Sequence, residues 1–165
     1  MKKIFTILAI ISGLIGSTNA QTFRFGVGPS LSFPSKTLAK YNGLGVGLEV
    51  TGWLRFTQNF EVFGQVGYTS FMGKTIVAGI KSDPLSHIPV LFGARYKTSG
   101  VVKGRGFFIG AGVGYGAFGK DNAGLNFSPQ IGLSTYNIEI LGHYSTTSIG
   151  GGNFAFLGLK TFYKF

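Results

Sequence analysis

Alternation between apolar and polar side chains constrains this chain more than any other feature. It is clearest in segment 154–165, because a β-strand points successive side chains to opposite faces. One face of this segment comprises Ala155, Leu157, Leu159, Thr161, Tyr163 and Phe165. The other face comprises Phe154, Phe156, Gly158, Lys160, Phe162 and Lys164. The segment therefore predicts a strand with one uncharged face and one face that carries both lysines.

Similar alternation recurs along the chain, in segments that turn-forming residues separate. The segments span residues 22–33, 43–56, 60–71, 87–97, 106–118, 125–136, 138–146 and 154–165. Beyond the N-terminus, no stretch has the apolar period of a helix. The chain is therefore predicted to be all-β, with eight strands.

Charge within the predicted strands falls only on the face opposite the apolar set. The charged positions are Arg24, Glu49, Arg55, Glu61, Arg95, Lys97, Glu139, Lys160 and Lys164. An Arg or Lys that faces lipid at mid-membrane costs about 2–4 kcal/mol, whereas one that faces an enclosed lumen can pair. A soluble β-sandwich would have a richly charged outer face, and only 12% of this chain is charged. We therefore predict an antiparallel up-and-down transmembrane β-barrel with an apolar face toward lipid.

Residues 1–20 have the pattern of a cleaved signal peptide. Lys2 and Lys3 precede an apolar run that ends at Gly16, and small residues lead up to Ala20. The run is shorter than the ~20 apolar residues that a membrane helix needs, and an uncleaved anchor is the alternative. The chain has no Cys, so neither a disulfide nor a lipid-modified Cys is expected. We predict a signal peptide at 1–20 and one barrel domain at 21–165.

Four stretches carry a resemblance to a known family: residues 88–96, 107–116, 128–132 and the closing segment 154–165. In spacing and residue type, the chain resembles the small outer-membrane β-barrel domain family, whose members are porin-like. The resemblance implies a location in the cell outer membrane. It also implies that Tyr163 and Phe165 form an insertion signal, which the barrel-assembly machinery reads on the closing strand.

The connections between the predicted strands differ in length. Those at 57–59 and 137 are short and the one at 97–105 is longer; these three are predicted to be periplasmic. Those at 34–42, 72–86, 119–124 and 147–153 are predicted to be outer loops. Outer-membrane barrels have short periplasmic turns and longer external loops, so we assign the two ends accordingly. Residues 75–80 are expected to extend a hairpin beyond the membrane. Pro29, Pro89 and Pro129 each lack a ladder donor, which predicts bulges or frayed pairing.

The predicted lumen contains charges, glycines and large rings. Because buried charges persist only when paired, we expect a lumen charge network of Arg24, Glu49, Arg55, Glu61, Arg95, Lys97, Glu139 and Lys160, with the pairing open. Inward glycines are expected at positions 45, 47, 93, 110, 112, 114 and 116. They would make room for Phe63, Phe108, Tyr136 and Phe162. Alternation also places Trp53 on the lumen face, unless a bulge at Gly52 turns it outward. Eight strands leave an interior that side chains can fill, so we predict a filled lumen, with a small ligand cavity as the alternative.

One motif suggests an enzyme. His143-Tyr144-Ser145 resembles the His-x-Ser element of outer-membrane lipid A deacylases, in which His is the base and Ser the nucleophile. That family's following Asn is Thr146 here, and no acidic residue follows Glu139. The inward carboxylates are outnumbered by inward cations, so ion pairing explains them better than catalysis. We predict no enzymatic activity, no cofactor and no metal, and a lipid A-modifying enzyme is the least favoured alternative.

Lysines dominate the predicted outer loops. Lys36, Lys40, Lys74, Lys81 and Lys120 face only Asp83 and Asp121 there, so we expect outer-membrane lipid and lipopolysaccharide as partners and no nucleic acid. An aromatic girdle is expected at the turn end, formed by Phe23, Phe25, Phe56, Phe60, Tyr96, Tyr163 and Phe165. The predicted function is a structural or surface-interaction role, and the alternative is a small transport or ligand-binding barrel.

Overall fold

The computed structural model describes residues 22–77, 80–98, 105–119 and 122–165. Eight long strands form the barrel: β1 (Thr22–Lys36), β2 (Asn42–Arg55), β3 (Phe60–Gly73), β6 (Leu85–Lys97), β7 (Gly106–Phe118), β8 (Asn122–Ser134), β9 (Ile138–Ile149) and β10 (Gly152–Lys164). Between them lie a one-turn helix, α1 (Leu38–Tyr41), and two short strands, β4 (Thr75–Val77) and β5 (Ile80–Lys81). No helix in these ranges is long and apolar enough to cross a membrane.

Each barrel strand pairs antiparallel with the next along the chain, and β10 pairs with β1 to close the sheet. The predicted eight-stranded up-and-down barrel is therefore confirmed. The strands β4 and β5 form a separate two-stranded sheet, so the expected extra hairpin is also present. Closure leaves no unpaired sheet edge, as a sheet within lipid requires.

Several strands continue further than the alternation suggested. For example, β1 extends to Lys36 and β9 to Ile149, while β10 begins at Gly152. Backbone pairing does not depend on side-chain polarity, and it continues these hairpins past the segments in which apolar and polar residues alternate. One boundary was wrong in the other direction, because β8 ends at Ser134 and leaves Tyr136 in the following turn.

The polarity of the barrel is inverted relative to a soluble protein. Exposed apolar side chains occur on every barrel strand: Val27, Leu48, Val66, Phe92, Val113, Phe127, Ile140 and Leu157 are examples. Buried polar or charged side chains face the interior: Ser30, Glu49, Gln65, Arg95, Asn126, Glu139 and Lys160 are among them. Such a surface is stable where lipid, and not water, surrounds the barrel.

Each strand proline interrupts pairing with one neighbour only. The ladder omits two residue pairs beside Pro29 in β1–β10, beside Pro89 in β3–β6 and beside Pro129 in β8–β9. The register is the same before and after each gap, and pairing with the other neighbour continues through the proline. The prediction of frayed pairing is therefore confirmed without bulges, because a missing N–H affects only the side to which it would donate.

The two ends of the barrel differ. At the turn end, the described connections include residues 56–59 and 135–137, and the exposed rings of the predicted girdle lie there. At the loop end lie α1 and the β4–β5 hairpin. The predicted signal peptide at 1–20 falls outside the described residues, as do Lys120, Asp121 and the middle of the 97–105 connection.

Candidate functional site in the barrel lumen

Two layers of rings and leucines fill the lumen. The turn-side layer consists of Trp53, Phe63, Phe108, Leu141 and Phe162, all buried. The loop-side layer consists of Leu38, Phe71, Phe118 and Phe156. In the first, Trp53 meets Phe162 edge to face, with ring centroids 5.8 Å apart. Trp53 thus faces inward as counted, and the regular β2–β3 register shows no bulge at Gly52.

Glycines make room for these rings, as the sequence predicted. A Cβ at Gly112 would lie 3.2 Å from the ring of Phe63, and one at Gly45 would lie 2.7 Å from the ring of Phe71. Not every glycine has this role, because a Cβ at Gly110 would instead meet Arg95. The space left by the glycines is therefore occupied by neighbouring side chains, which argues against the predicted alternative of a ligand cavity.

Tyr136 is not one of the inward rings, and this prediction was wrong. Its side chain is 71% exposed in the β8–β9 turn. There the backbone N–H of Thr135 donates to the carbonyl of Ile138 at 2.7 Å. Once a turn forms, alternation no longer determines which way a side chain points, and Tyr136 lies over the guanidinium of Arg24.

Arg95 is the centre of a buried charge cluster on the turn side of the lumen. Its Nη1 lies 2.6 Å from Glu139 Oε1, and its Nη2 lies 2.6 Å from Glu61 Oε2. Glu61 also accepts from Arg55 at 2.9 Å. The guanidinium packs over the rings of Trp53 and Phe108. These contacts join β3, β6 and β9 across the lumen. Both oxygens of Glu61 accept hydrogen bonds, whereas Glu139 Oε2 has no hydrogen-bond donor among the described residues.

Glu49 and Lys160 form a second buried pair, four residues along β2 from Trp53 toward the loop end. Lys160 Nζ lies 2.8 Å from Glu49 Oε2, and both side chains are almost fully buried. Gln65 donates its amide N–H to the same carboxylate. The pair spans two strands that are not neighbours, because β1 lies between β2 and β10.

Arg24 and Lys97 also face the lumen, but the structure places neither beside a carboxylate in the described ranges. Arg24 contacts the backbone carbonyl of Tyr136 at 3.4 Å, and Lys97 Nζ donates to Ser134 Oγ at 3.0 Å. Lys164, which shares their face, donates to Ser134 Oγ at 2.6 Å and lies 3.9 Å from Glu139 Oε2. Of the predicted network residues, the structure thus brings six into ion pairs and leaves these two at the rim.

His143 and Ser145 lie in the lumen, as alternation along the strand predicted. They do not contact each other as a base and nucleophile would. His143 Nδ1 lies 3.3 Å from Ser128 Oγ, and Ser145 Oγ donates to Asn126 Oδ1 at 3.0 Å. Both side chains are buried, away from any lipid substrate. Nucleophilic catalysis needs a base within hydrogen-bond reach of the nucleophile, and this geometry lacks that contact.

The polar zone around His143 also contains side chains that sequence analysis missed. His87 is buried, with its ring stacked on Phe118 at 4.2 Å, and Asn126 lies 3.5 Å from its Nε2. The sequence signal that could have identified His87 and Asn126 is their position on the lumen-facing side of the predicted strands. In the part of the chain that the structure describes, no group of three His, Asp or Glu side chains could hold a metal ion.

One small cavity opens at the turn end of the lumen. Its volume is about 10 Å³, which is room for roughly one water molecule. It is lined by Thr22, Arg24, Trp53, Arg55, Glu61, Arg95, Lys97, Ser134 and Lys164. A larger apolar depression of about 510 Å³ lies on the outer face around Gly142, where lipid would fill it.

Comparisons with known proteins identify the fold. No protein-family model matches the chain, and no curated protein matches it. Among solved structures, Neisserial surface protein A is 14% identical, with 89% of this chain and 100% of that chain covered and a TM-score of 0.56. The outer membrane protein OprG from Pseudomonas aeruginosa is 13% identical, with coverages of 88% and 95% and a TM-score of 0.54.

A third similar structure is Ail, the attachment invasion locus protein of Yersinia pestis, in complex with the heparin analogue sucrose octasulfate. It is 16% identical, with 88% of this chain and 98% of that chain covered and a TM-score of 0.50. The chain thus has the fold of small outer-membrane β-barrels. Together with its apolar outer surface, this fold confirms the predicted outer-membrane setting.

Proposed function

We propose that this barrel has a structural or surface-interaction role and presents its loops from a closed membrane scaffold. One observation carries the proposal: the turn-side and loop-side layers fill the lumen at two levels. The buried ion pairs Arg95–Glu139 and Lys160–Glu49 occupy lumen space that these layers leave. A barrel closed in this way can act at its ends, whereas transport requires a path through the middle.

Planar-bilayer recording of the refolded protein tests this role against the transport alternative. We expect no discrete conductance steps at neutral pH, while a large-pore porin refolded in the same way serves as the positive control. Reproducible steps would favour the small transport barrel. A blockade of such steps by one class of solute would identify what it carries.

For the surface role, we propose the phosphates of lipopolysaccharide as partners of the loop end. Lys36, Lys40 and Lys74 are exposed there, and exposed basic residues attract anionic head groups. Lys74 Nζ also donates to the carbonyl of Ala39 at 2.9 Å, which ties the third barrel strand's exit to α1. The similar structure of Ail contains a sulfated sugar, and that polyanion supports this class of partner.

Incubation with lipopolysaccharide tests the partner and the absence of catalysis together. We expect binding that weakens when Lys36, Lys40 and Lys74 are changed to Gln, and that persists in a control with Arg105→Gln, which removes an exposed cation at the opposite end. Mass spectrometry should show every lipid A acyl chain retained. Loss of an acyl chain that Ser145→Ala abolishes would instead establish the enzyme.

We also propose that Tyr163 and Phe165 form the signal read by the barrel-assembly machinery. Both rings are exposed on the outer face of the closing strand, where another protein can contact them. Phe165 N–H donates to the carbonyl of Phe25 at 2.9 Å, so the signal adjoins the seam between β1 and β10.

A further inference from the structure

Positive charge is concentrated at the turn-end mouth of the lumen. Five cationic side chains line the small cavity there: Arg24, Arg55, Arg95, Lys97 and Lys164. The acidic residue in its lining is Glu61. Glu139 lies beside the cluster and contacts Arg95 and Lys164. The carboxylates at this mouth therefore leave a surplus of cations.

Lys97, Lys164 and Arg24 have donor capacity that the described contacts do not use. The ammonium groups of Lys97 and Lys164 both donate to the neutral hydroxyl of Ser134. Lys164 also donates to the carbonyl of Thr135 at 2.5 Å and lies 3.9 Å from Glu139 Oε2, so one of its three N–H donors is left, and Lys97 keeps two. Arg24 makes a contact of 3.4 Å to the carbonyl of Tyr136, at an exposed position. Each ammonium has three N–H donors and each guanidinium has five, so several remain for a ligand at the mouth.

The cavity restricts both the size and the direction of such a ligand. Its volume of about 10 Å³ admits about one oxygen-sized group. Trp53 closes the cavity on the side toward the loop end. It belongs to the turn-side layer, which blocks entry from the loop end. A ligand must therefore approach from the turn end and insert a single atom.

We propose that this mouth binds a phosphate group, with one oxygen inserted between Arg24, Lys97 and Lys164. Arg55, whose side chain is 34% exposed, would contact the outer oxygens. Guanidinium and ammonium groups make strong charge-assisted hydrogen bonds to phosphate oxygens. The phosphate can come from free inorganic phosphate or from the head group of a neighbouring phospholipid, because both present the same oxygens.

The first test uses the whole refolded barrel in alkyl maltoside micelles, which contain no phosphate. Urea unfolding midpoints are compared in sodium phosphate and in sodium chloride at equal pH and ionic strength. A ligand that binds only the folded state raises the midpoint as its concentration increases. We expect phosphate to raise it beyond chloride, and an equal response to both salts would overturn the proposal without the need for any variant.

The double variant Arg24→Gln/Lys97→Gln locates the effect. We expect the Kd for phosphate to rise about tenfold or more, since hydrogen bonds to charged groups are lost. The matched control, Arg105→Gln, removes an exposed cation at the same end that does not line the cavity, and it should leave the Kd unchanged. A phosphate-specific shift that the double variant retains in full would also overturn the proposal.

Vesicles distinguish the two sources of phosphate. The unmodified protein and the double variant are refolded in phosphatidylglycerol and in an uncharged galactolipid. In each lipid, the unfolding midpoint of the unmodified protein is compared with that of the double variant. If the two proteins differ in phosphatidylglycerol but not in the galactolipid, without added phosphate, the bound phosphate belongs to the lipid head group. A difference that appears only after inorganic phosphate is added supports the free ion, and no difference under any condition contradicts the site.

Discussion

At the scale of single residues, Glu49 and Lys160 show how a charged pair persists inside the barrel. Both side chains are almost fully buried, 2.8 Å apart, and Gln65 donates to the same carboxylate. Water is largely excluded from this level of the lumen, so each charge depends on the other for compensation. In such surroundings, loss of one partner is more damaging than loss of both.

Lys160→Met therefore should lower the free energy of unfolding by about 3–5 kcal/mol, because Glu49 is left uncompensated. The double variant Glu49→Gln/Lys160→Met should recover a large part of that loss. Urea titration in lipid vesicles measures both, and Lys40→Met, at an exposed position, is a control expected within about 0.5 kcal/mol of the unmodified protein. A double variant as unstable as the sum of the two single variants would contradict mutual compensation.

At the scale of elements, the closing strand β10 completes the barrel and carries the proposed insertion signal. It pairs with β1 from Gly26–Lys164 to Lys36–Phe154. Beyond the last pair, the ring of Phe165 stacks on Phe25 with centroids 4.9 Å apart. The end of β10 thus contributes both to the seam and to an exposed surface.

Phe165→Ala separates these two contributions. The lost ring contacts should cost roughly 0.5–1.5 kcal/mol in urea titrations of the folded protein. If Phe165 is also read during insertion, assembly into vesicles that contain the barrel-assembly machinery should slow far more than this loss of stability explains. Phe23→Ala, which removes another exposed ring from the same girdle, should assemble at nearly the normal rate. Equal assembly rates for the two variants would restrict Phe165 to a packing role.

At the scale of the whole molecule, lipid acts as the solvent of the outer surface. The strand β7 illustrates this, because its outward residues are apolar from Phe107 to Tyr115 while glycines occupy much of its inner face. Val113 lies near the middle of the strand and Phe107 near its turn end. The same charge placed at these two positions should therefore meet different depths of the membrane.

Val113→Arg should destabilise the barrel by about 2–4 kcal/mol, whereas the charge introduced by Phe107→Arg should cost about 0–1 kcal/mol near the interface. Urea titration of each variant in vesicles provides the comparison on one strand and one face. Val113→Ala and Phe107→Ala correct for the lost apolar side chains. If depth made no difference, the outer surface of β7 would not span the bilayer as described.

The sequence by itself determined the strands, their faces and the closed barrel. Side-chain direction in a strand depends only on the local backbone, so counting in twos placed Glu139 inside and Ile140 outside without any tertiary information. The same reasoning placed Trp53 and His143 in the lumen. It failed at Tyr136, where turn hydrogen bonds end the strand at Ser134 and side-chain direction stops alternating.

Only the tertiary structure decided which charges meet. Arg95 on β6 reaches Glu139 on β9 although two strands lie between them, and Glu49 reaches Lys160 across β1. These contacts depend on strand stagger and on intervening glycines, since a Cβ at Gly110 would collide with Arg95. Alternation along a strand shows that a side chain faces the lumen, but the distance between two such side chains follows from the curvature and register of the closed sheet. For the same reason, the surplus of cations at the turn-end mouth became visible only when the strand ends were brought together.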